Sequence, residues 1–283
     1  MLKALMNRLL RKFRKEVRVP VYIPVQSGSS LVGRNVLITG GGSGIGFAIA
    51  QACLRNGASV VITGRNKEKL DRAVMSLHSL AQGEAQVAAL ELDIVDTVSH
   101  AQKLAQAAQL LPGGKLDILV NNAGVSAGAS IGQTESDAYD AVLDTNLKGT
   151  YFLSQAFFNQ LLECGSQGNI LIVSSSSGIR PAVSPYMVSK WGEVGLTQGL
   201  AKKLIPHGIT VNGIAPGPTA TGMLQQDSGH LDLPSSPAGR YTTAEEIANL
   251  AVFLISDMGR MIVGETIYIT GGCATLTKDD ISY

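Results

Sequence analysis

The length and composition of the chain fit one folded domain and exclude several classes of protein. The 283 residues are 45% hydrophobic and 16% charged, which is ample material for a large core and unlike a disordered chain. The three cysteines are widely spaced, so no disulfide framework is predicted and a reducing, cytoplasmic compartment is expected. The four histidines have no paired spacing, so no metal site is predicted.

Residues 1–30 are predicted to form an arm and linker ahead of the folded domain. The net charge of the chain is +1, but residues 1–19 hold seven basic side chains and one acidic one. The rest is therefore mildly acidic and offers no basic surface for nucleic acid. Apolar residues at helical spacing predict a basic amphipathic helix over residues 1–19. Such a helix either makes peripheral contact with an anionic membrane or packs on its own domain or a partner subunit; an organelle transit peptide is a third interpretation. No apolar run reaches the ~18 residues that a membrane span needs.

From Gly33 onward, short apolar strands alternate with helical segments. Strands are predicted at residues 36–38, 60–62, 87–92, 118–120, 170–173, 210–214 and 266–269, and the first two helices at 45–56 and 67–79. Fully apolar strands alternating with amphipathic helices are typical of a parallel sheet covered on both faces. Residues 31–283 are thus predicted to form a single α/β domain, a three-layer doubly wound sheet of the Rossmann type.

A glycine-rich turn follows the first predicted strand and leads directly into a helix. Glycines let the backbone come close to a pyrophosphate, which the helix N-terminus attracts. A glycine-rich stretch alone is weak evidence, but a strand before it and a helix after it favour a dinucleotide site. The residues expected to hold the phosphates are Thr39, Gly40, Ser43, Gly44, Ile45 and Gly46.

Further motifs follow in order along the chain. They are Asn121-Asn122-Ala123-Gly124, Asn146-Leu147-x-Gly149, Ser174-Ser175, Tyr186-x3-Lys190, Pro216-Gly217 and Gly271-Gly272. Together with the glycine turn they cover roughly residues 33–275, and their order and spacing resemble the short-chain dehydrogenase/reductase family. The resemblance implies an oxidoreductase that uses a nicotinamide cofactor and acts on a carbonyl or alcohol group of a small-molecule substrate. It also implies cofactor contacts at Asp93, Asn121, Ala123, Gly124, Tyr186, Lys190, Pro216, Gly217, Thr219 and Thr221.

The end of the second predicted strand bears on which nicotinamide cofactor is used. NAD enzymes usually place a carboxylate there to bind the ribose hydroxyls, whereas this chain reads Thr63-Gly64-Arg65-Asn66-Lys67. Arg65 is able to form a charge-assisted fork with a 2′-phosphate. NADP(H) is therefore predicted in preference to NAD(H); the other interpretation is that Arg65 and Lys67 only begin a solvated helix.

Tyr186 and Lys190 are the predicted acid/base pair. They are four residues apart in a segment that suits a helix, so both side chains share one face. A free phenol has a pKa near ~10, too high for an efficient base at neutral pH, and a neighbouring ammonium favours the phenolate. We expect such a tyrosine to give a proton to a carbonyl oxygen during reduction and to take it back during oxidation.

Two further residues complete the predicted catalytic group by resemblance. Ser175, three residues before Gly178, is expected to orient and polarise the substrate oxygen. Because the interval from Ser175 to Tyr186 is shorter than is usual in the family, Ser174 stays open as the alternative. Asn146 is expected to hold a water that connects the lysine to solvent.

The sequence specifies the substrate and the oligomeric state less closely than the cofactor and the acid/base pair. Pocket walls are expected from residues 125–132, 179–185 and 222–240, the last resembling a mobile lid. Its polar content favours a sugar or polyol, whereas Met223, Leu224, Leu231 and Leu233 suit an apolar ketone; both stay open, as does the physiological direction. The resemblance implies a homodimer or homotetramer paired through helices around residues 135–165 and 186–204. A non-catalytic NADP(H)-binding sensor or scaffold protein is the alternative function.

Overall fold

The computed structural model describes residues 28–126, 130–221 and 231–276. The predicted amphipathic helix of the arm lies outside these ranges, as do parts of two predicted pocket walls. Within the described ranges, the strands form one parallel sheet in the order β3-β2-β1-β4-β5-β6-β7. The strands are β1 (Asn35–Thr39), β2 (Ser59–Gly64), β3 (Val87–Glu91), β4 (Ile118–Asn121), β5 (Gly168–Val173), β6 (Ile209–Pro216) and β7 (Thr266–Ile269).

Helices cover both faces of the sheet. They are α1 (Gly44–Arg55), α2 (Lys67–His78), α3 (His100–Gln109), α4 (Ser136–Leu143), α5 (Thr150–Glu163), α6 (Pro185–Leu204) and α7 (Ala244–Ile255). Each predicted strand is present, with ends that differ by at most two residues from the apolar runs that predicted them. The predicted single-domain, doubly wound α/β fold is confirmed.

Strand β1 shows why the strands are apolar on both sides. Val36 and Ile38 lie in the core on one face, where α1, α2 and α7 pack. Leu37 lies in the core on the other face, where α3, α5 and α6 pack. All three side chains are fully buried, because successive residues of a strand point to opposite faces and both faces carry helices.

The helical region between β4 and β5 changes its winding in the middle. Residues Asp144–Gly149 form a π-helical segment between α4 and α5, and such segments occur mostly as single wide turns, frequently at functional sites. Gly149 packs closely against Ile94. A Cβ at position 149 would lie only 2.7 Å from Ile94 atoms, so a larger residue would not fit there. The segment carries Asn146, which is fully buried.

The strand order places a cleft at a defined point. From β1 the chain proceeds outward to β2 and β3, then crosses to β4 on the other side of β1. Loops after β1 and β4 therefore diverge, and ligands of open α/β sheets bind in the crevice at this position. None of the helices in the described ranges has the length and apolar character needed to cross a membrane.

Candidate active site

A cavity of about 700 Å³ opens at the carboxyl ends of β1, β2, β4 and β5. The predicted glycine turn lies in the middle of the lining, at the end of β1, and Tyr186 and Lys190 lie at the end next to β5. The structure thus brings together two motifs that are about 140 residues apart in the sequence. The predicted site residues that line the cavity are Thr39, Gly40, Ser43, Gly44, Ile45, Arg65, Asp93, Ala123, Gly124, Tyr186, Lys190 and Thr221.

The turn after β1 needs glycine for both conformation and space. Gly40 has φ +66°, a left-handed conformation that side chains with a Cβ rarely adopt. At Gly46 a Cβ would lie 2.6 Å from the Gly40 carbonyl oxygen, so α1 approaches the turn as closely as backbone atoms allow. The N-cap residue Ser43 makes no side-chain cap, and the first turn of α1 has no acidic residue. The backbone amide groups in the first turn of α1 are therefore free of a side-chain cap and oriented to receive an anion.

Thr39 and Asn122 join this turn to the end of β4. The Thr39 hydroxyl accepts hydrogen bonds from the Asn122 and Ala123 amides, both at 2.9 Å. The Asn122 side-chain amide donates to the Thr39 carbonyl at 2.9 Å. Asn122 lines the cavity, whereas the motif predicted a cofactor contact from its neighbour Asn121. The Asn121 side chain instead points into the other layer and donates to the Ser154 hydroxyl of α5 at 3.0 Å.

Two cations lie at the end of the cavity beyond β2. Arg65 and Lys69 both line the cavity there, and both are exposed. Asn66 begins α2, because its side chain accepts a hydrogen bond from the Lys69 amide at 2.8 Å. Lys67 points elsewhere and pairs with Asp71 at 3.0 Å. Lys69 was not predicted as a cavity residue. The Asn66 cap decides which residues in the first turn of α2 face the cavity, and the sequence alone does not show this.

Asp93 lies on the opposite rim of the same end. It follows β3, lines the cavity and accepts a hydrogen bond from the Val95 amide at 3.1 Å. Between this rim and the cations, the apolar side chains of Leu70, Leu92 and Ile94 also line the cavity. This end therefore combines an apolar slot with polar groups at its edge, which suits a flat, partly polar ring system.

Helix α6 holds the predicted acid/base pair. Ser184 caps the helix by accepting a hydrogen bond from the Met187 amide, and Pro185 occupies the first turn, where its missing N–H costs nothing. Tyr186 is half-buried and Lys190 is buried. The Lys190 ammonium lies 5.6 Å from the centre of the Tyr186 ring, so the two side chains share one face, as their spacing predicted.

Glu193 is a charged neighbour of this pair that was not among the predicted site residues. The Lys190 ammonium donates to both carboxylate oxygens of Glu193 at 2.9 Å and to the Val173 carbonyl at 3.2 Å. Burial acts to lower the pKa of Lys190, but the charge and hydrogen bonds of Glu193, together with the charge of Tyr186, outweigh it and the pKa is raised. Burial raises the pKa of Glu193, against the opposing effect of the ammonium. An acidic residue three positions after the lysine on a helix was the sequence signal for this contact.

Asn146 braces the loop after β4 against α6. Its side-chain oxygen accepts from the Val125 amide at 2.8 Å, and its nitrogen donates to the Val125 carbonyl and the Ser189 hydroxyl, both at 3.0 Å. Both N–H donors and the oxygen of this buried carboxamide therefore have partners. Asn146 does not line the cavity itself; it positions segments that do.

The two candidate serines at the end of β5 have different partners. Ser174 lines the cavity, and its hydroxyl donates to the Lys190 carbonyl at 3.0 Å. The Ser175 hydroxyl accepts from the Ser177 amide at 3.1 Å and caps a short 3₁₀ turn, Ser176–Ile179. Ser175 is buried and is not part of the cavity lining.

Three other predicted contacts lie behind the cavity wall after β6. Pro216 ends the strand, and the Gly217 amide donates to the Ile269 carbonyl at 2.9 Å, next to β7. The Thr219 hydroxyl donates to the Gly217 carbonyl at 2.9 Å. Only Thr221 of this predicted group reaches the lining.

These features fit a dinucleotide cofactor. The turn around residues 40–46 offers backbone amides without side chains in the way, and cations and an apolar slot follow at one end. Such a combination matches the phosphates and ring of a nucleotide. The other end holds the tyrosine, the lysine and Ser174 after β5, groups that suit proton transfer at a carbonyl.

The comparisons with known proteins agree with this geometry. The family model described as short chain dehydrogenase matches residues 34–231. Gluconate 5-dehydrogenase of Gluconobacter oxydans (strain 621H) is 33% identical over 249 residues, covering 86% of this chain and 95% of the relative. The 3-oxoacyl-[acyl-carrier-protein] reductase FabG of Chlamydia muridarum is 34% identical over 252 residues, covering 87% of this chain and 99% of the relative.

Solved structures are similar over the same region. A short chain dehydrogenase from Burkholderia cenocepacia J2315, crystallised in complex with NADP, has a TM-score of 0.74 and 32% identity. The alignment covers 86% of this chain and 98% of that one. The chain therefore belongs to the short-chain dehydrogenase/reductase family of oxidoreductases, and the family predicted from the motifs is confirmed.

Proposed function

We propose that this protein is an NADP(H)-dependent oxidoreductase that interconverts a carbonyl and a secondary alcohol, with Tyr186 as its acid/base. The observation that carries the proposal is the position of the Lys190 ammonium, 5.6 Å from the Tyr186 ring centre. Both residues line the same cavity as the glycine turn. A phenol beside an ammonium is suited to proton transfer near neutral pH.

The chain supplies the groups that hold the cofactor and move the proton. The turn from Gly40 to Ile45 and the N-terminus of α1 would hold the phosphates, and Arg65 and Lys69 the adenosine end. When bound, the nicotinamide supplies or accepts the hydride. Tyr186 donates a proton to the substrate oxygen during reduction and removes it during oxidation, while Lys190 supplies the nearby positive charge.

NADP(H) is favoured over NAD(H) by the charges at the end of β2. Arg65 and Lys69 are exposed cations on the cavity rim. The strand end there carries Thr63 and Gly64, where a carboxylate would repel a 2′-phosphate. Asp93 lies on the other rim, after β3. The NADP complex of the Burkholderia relative supports the same preference.

The decisive experiment removes only the phenolic oxygen. Tyr186→Phe should lower kcat by a factor of about 10² to 10⁴ and leave the Kd for NADPH nearly unchanged, because the rest of the cavity is retained. Tyr139→Phe is the matched control, since Tyr139 lies exposed on α4 and should turn over normally. Near-normal turnover by Tyr186→Phe would refute the assignment.

Substrate class is the next question for the same protein. The relatives named above act, by their names, on gluconate and on a 3-oxoacyl group carried by a protein. A panel of polyhydroxy acids, sugars and 3-oxoacyl thioesters, read by NADPH absorbance in both directions, separates a hydroxylated substrate from an apolar one. NADPH binding without turnover across the panel would favour the non-catalytic sensor instead.

We also propose that copies of this chain pair through α4, α5 and α6. Aromatic side chains are exposed on these helices, among them Tyr139, Tyr151, Phe152 and Trp191, and aromatic residues are enriched at protein interfaces. We expect a homodimer or homotetramer, which light scattering measures directly. The cytoplasmic location and the peripheral membrane contact through residues 1–19 remain predictions.

A further inference from the structure

The carboxylate of Glu193 contacts the acid/base pair through Lys190 but takes no part in the proposed proton transfer. This side chain is 2% exposed, and the Lys190 side chain that it meets is 5% exposed. Burying a charged pair is costly unless the geometry is good and the remaining polar atoms have partners. A buried carboxylate in contact with the predicted catalytic lysine is therefore a feature that needs a physical reason.

We propose that Glu193 is a positioning residue that holds the Lys190 ammonium in place and balances its charge, and so sets the pH range in which Tyr186 works. The inference rests on the proposed function, because it acts through Lys190 on Tyr186. Glu193 is not a catalytic residue in this scheme, since it is absent from the cavity lining.

The contacts fix the ammonium from the side away from the cavity. An ammonium has three N–H donors, and Lys190 directs its donors to the two oxygens of Glu193 and to the Val173 carbonyl. Glu193 lies one helical turn further along α6. The lysine therefore does not depend on a bound ligand to hold its position beside the tyrosine.

The charges around this group identify Glu193 as the counter-charge. On α6, the titratable groups that act on Lys190 are Glu193 and Tyr186. The end of β5 contributes the Val173 carbonyl and the neutral Ser174 hydroxyl, which acts to lower the pKa of Glu193. The π-helical segment contributes the neutral Asn146, while its Asp144 is paired with Lys148 at 3.0 Å. The loop after β4 contributes the backbone at Gly124. Among the described residues, these elements place no second carboxylate against the ammonium.

This arrangement predicts the direction of the effect. A negative charge next to the tyrosine–lysine pair makes the loss of a proton from the pair harder. Replacing Glu193 by the neutral, similarly shaped Gln should therefore ease that loss. The midpoint of the pH dependence of kcat for alcohol oxidation should move to lower pH by about one unit.

The experiment compares Glu193→Gln with Glu163→Gln. Glu163 is exposed at the end of α5, before β5 begins, so this control changes the net charge equally without touching the lysine. We expect a shifted kcat midpoint for Glu193→Gln alone, with a KM and a Kd for NADPH within about threefold of the original. A purely structural role would lower Tm and leave the midpoint in place. An unchanged midpoint refutes the inference.

Two further variants keep the result interpretable. If Glu193→Gln does not fold, Glu193→Asp is used instead, because it keeps the charge but moves it away from Lys190 by one methylene. A shift of the kcat midpoint to lower pH in this variant supports the inference. An unmoved midpoint overturns it. Tyr186→Phe is measured in parallel. If Tyr186→Phe remains active, the proposed function itself fails; if it is inactive and Glu193→Gln has a normal midpoint, only the role of Glu193 fails.

Discussion

The Ser174 hydroxyl donates a hydrogen bond to the main-chain carbonyl of Lys190 at 3.0 Å, which joins the end of β5 to α6. This contact separates the roles of two adjacent serines. Because a hydroxyl carries one proton, the proton of Ser174 is engaged within the protein. The hydroxyl of Ser175 accepts from the Ser177 amide, a bond that does not use its own proton, although the side chain lies outside the cavity lining. We propose that Ser175 turns this proton towards the substrate oxygen.

We therefore predict different kinetic effects for the two alanine variants. Ser175→Ala should lower kcat by about 10² or more, as loss of one donor to a developing oxyanion does, with little change in the Kd for NADPH. Ser174→Ala should act mainly on stability, costing about 1 kcal/mol in the free energy of unfolding for a lost buried hydrogen bond. Urea unfolding and steady-state kinetics on both variants distinguish these outcomes, and a reversed pattern would assign the substrate to Ser174.

The parts of this protein that could be predicted from sequence are those with local causes. Apolar runs such as the one in β1 predicted strands because burial on both faces leaves no polar position. The glycine turn was recognisable because backbone conformation at Gly40 and space at Gly46 restrict the residue type directly. Tyr186 and Lys190 were placed together because helical spacing is a property of the chain alone.

The parts that escaped prediction depend on which way a side chain faces in the folded protein. Asn121 and Asn122 are adjacent, and only the pleat at the end of β4 decides that Asn122 meets the turn while Asn121 meets Ser154. The π-helical winding around Asn146 depends on packing against other elements, such as the contact of Gly149 with Ile94. The burial of Glu193 depends on how α6 packs on the sheet, so its spacing from Lys190 alone could not show that the two side chains meet in the interior.

Cofactor preference should depend on Arg65. Arg65→Ala should reduce kcat/KM for NADPH by about 10- to 100-fold, the value of a lost hydrogen bond between charged groups, and leave the value for NADH nearly unchanged. Lys67→Ala is the matched control, because Lys67 is two residues away but pairs with Asp71 and does not line the cavity. Equal losses with both cofactors after Arg65→Ala would contradict a 2′-phosphate contact.

The start of α7 should make stability depend on pH in the acid range. Hydrogen bonds from the Arg240 guanidinium, then from the Thr243 amide, lower the pKa of Glu246 from 4.5 to about 2. A carboxylate whose pKa is lower in the folded state stabilises above its unfolded pKa, and this contribution is lost as the pH falls from about 4.5 towards 2. Glu246 closes a capping box with Thr243, but the pair with Arg240 is partly exposed, so we expect about 1 kcal/mol at neutral pH.

The measurement compares Tm of the original protein and of Glu246→Gln at about pH 6.5, above the transition, and at about pH 3, between the folded and unfolded pKa values. The difference in Tm should be clear at the higher pH and smaller at the lower one. Glu245→Gln is the control, because Glu245 is exposed in the same first turn and does not close the box. A difference that grows as the pH falls would contradict the lowered pKa.

The three cysteines should differ sharply in reactivity towards a thiol reagent. Cys53 of α1 is fully buried in the core, and burial raises the pKa of its thiol to about 12, so almost no reactive thiolate forms at neutral pH. Cys273 is also buried and donates to the Ser236 hydroxyl at 3.4 Å, whereas Cys164 is exposed. In the folded protein, Ellman's reagent should therefore label Cys164 alone, and Cys164→Ser should abolish fast labelling. Labelling of Cys53 should begin only in urea concentrations that unfold the domain, because α1 cannot expose this thiol without leaving the core next to the cofactor turn. Fast native labelling of Cys53 would mean that α1 opens locally, and the glycine turn that begins this helix could not then be a rigid phosphate site.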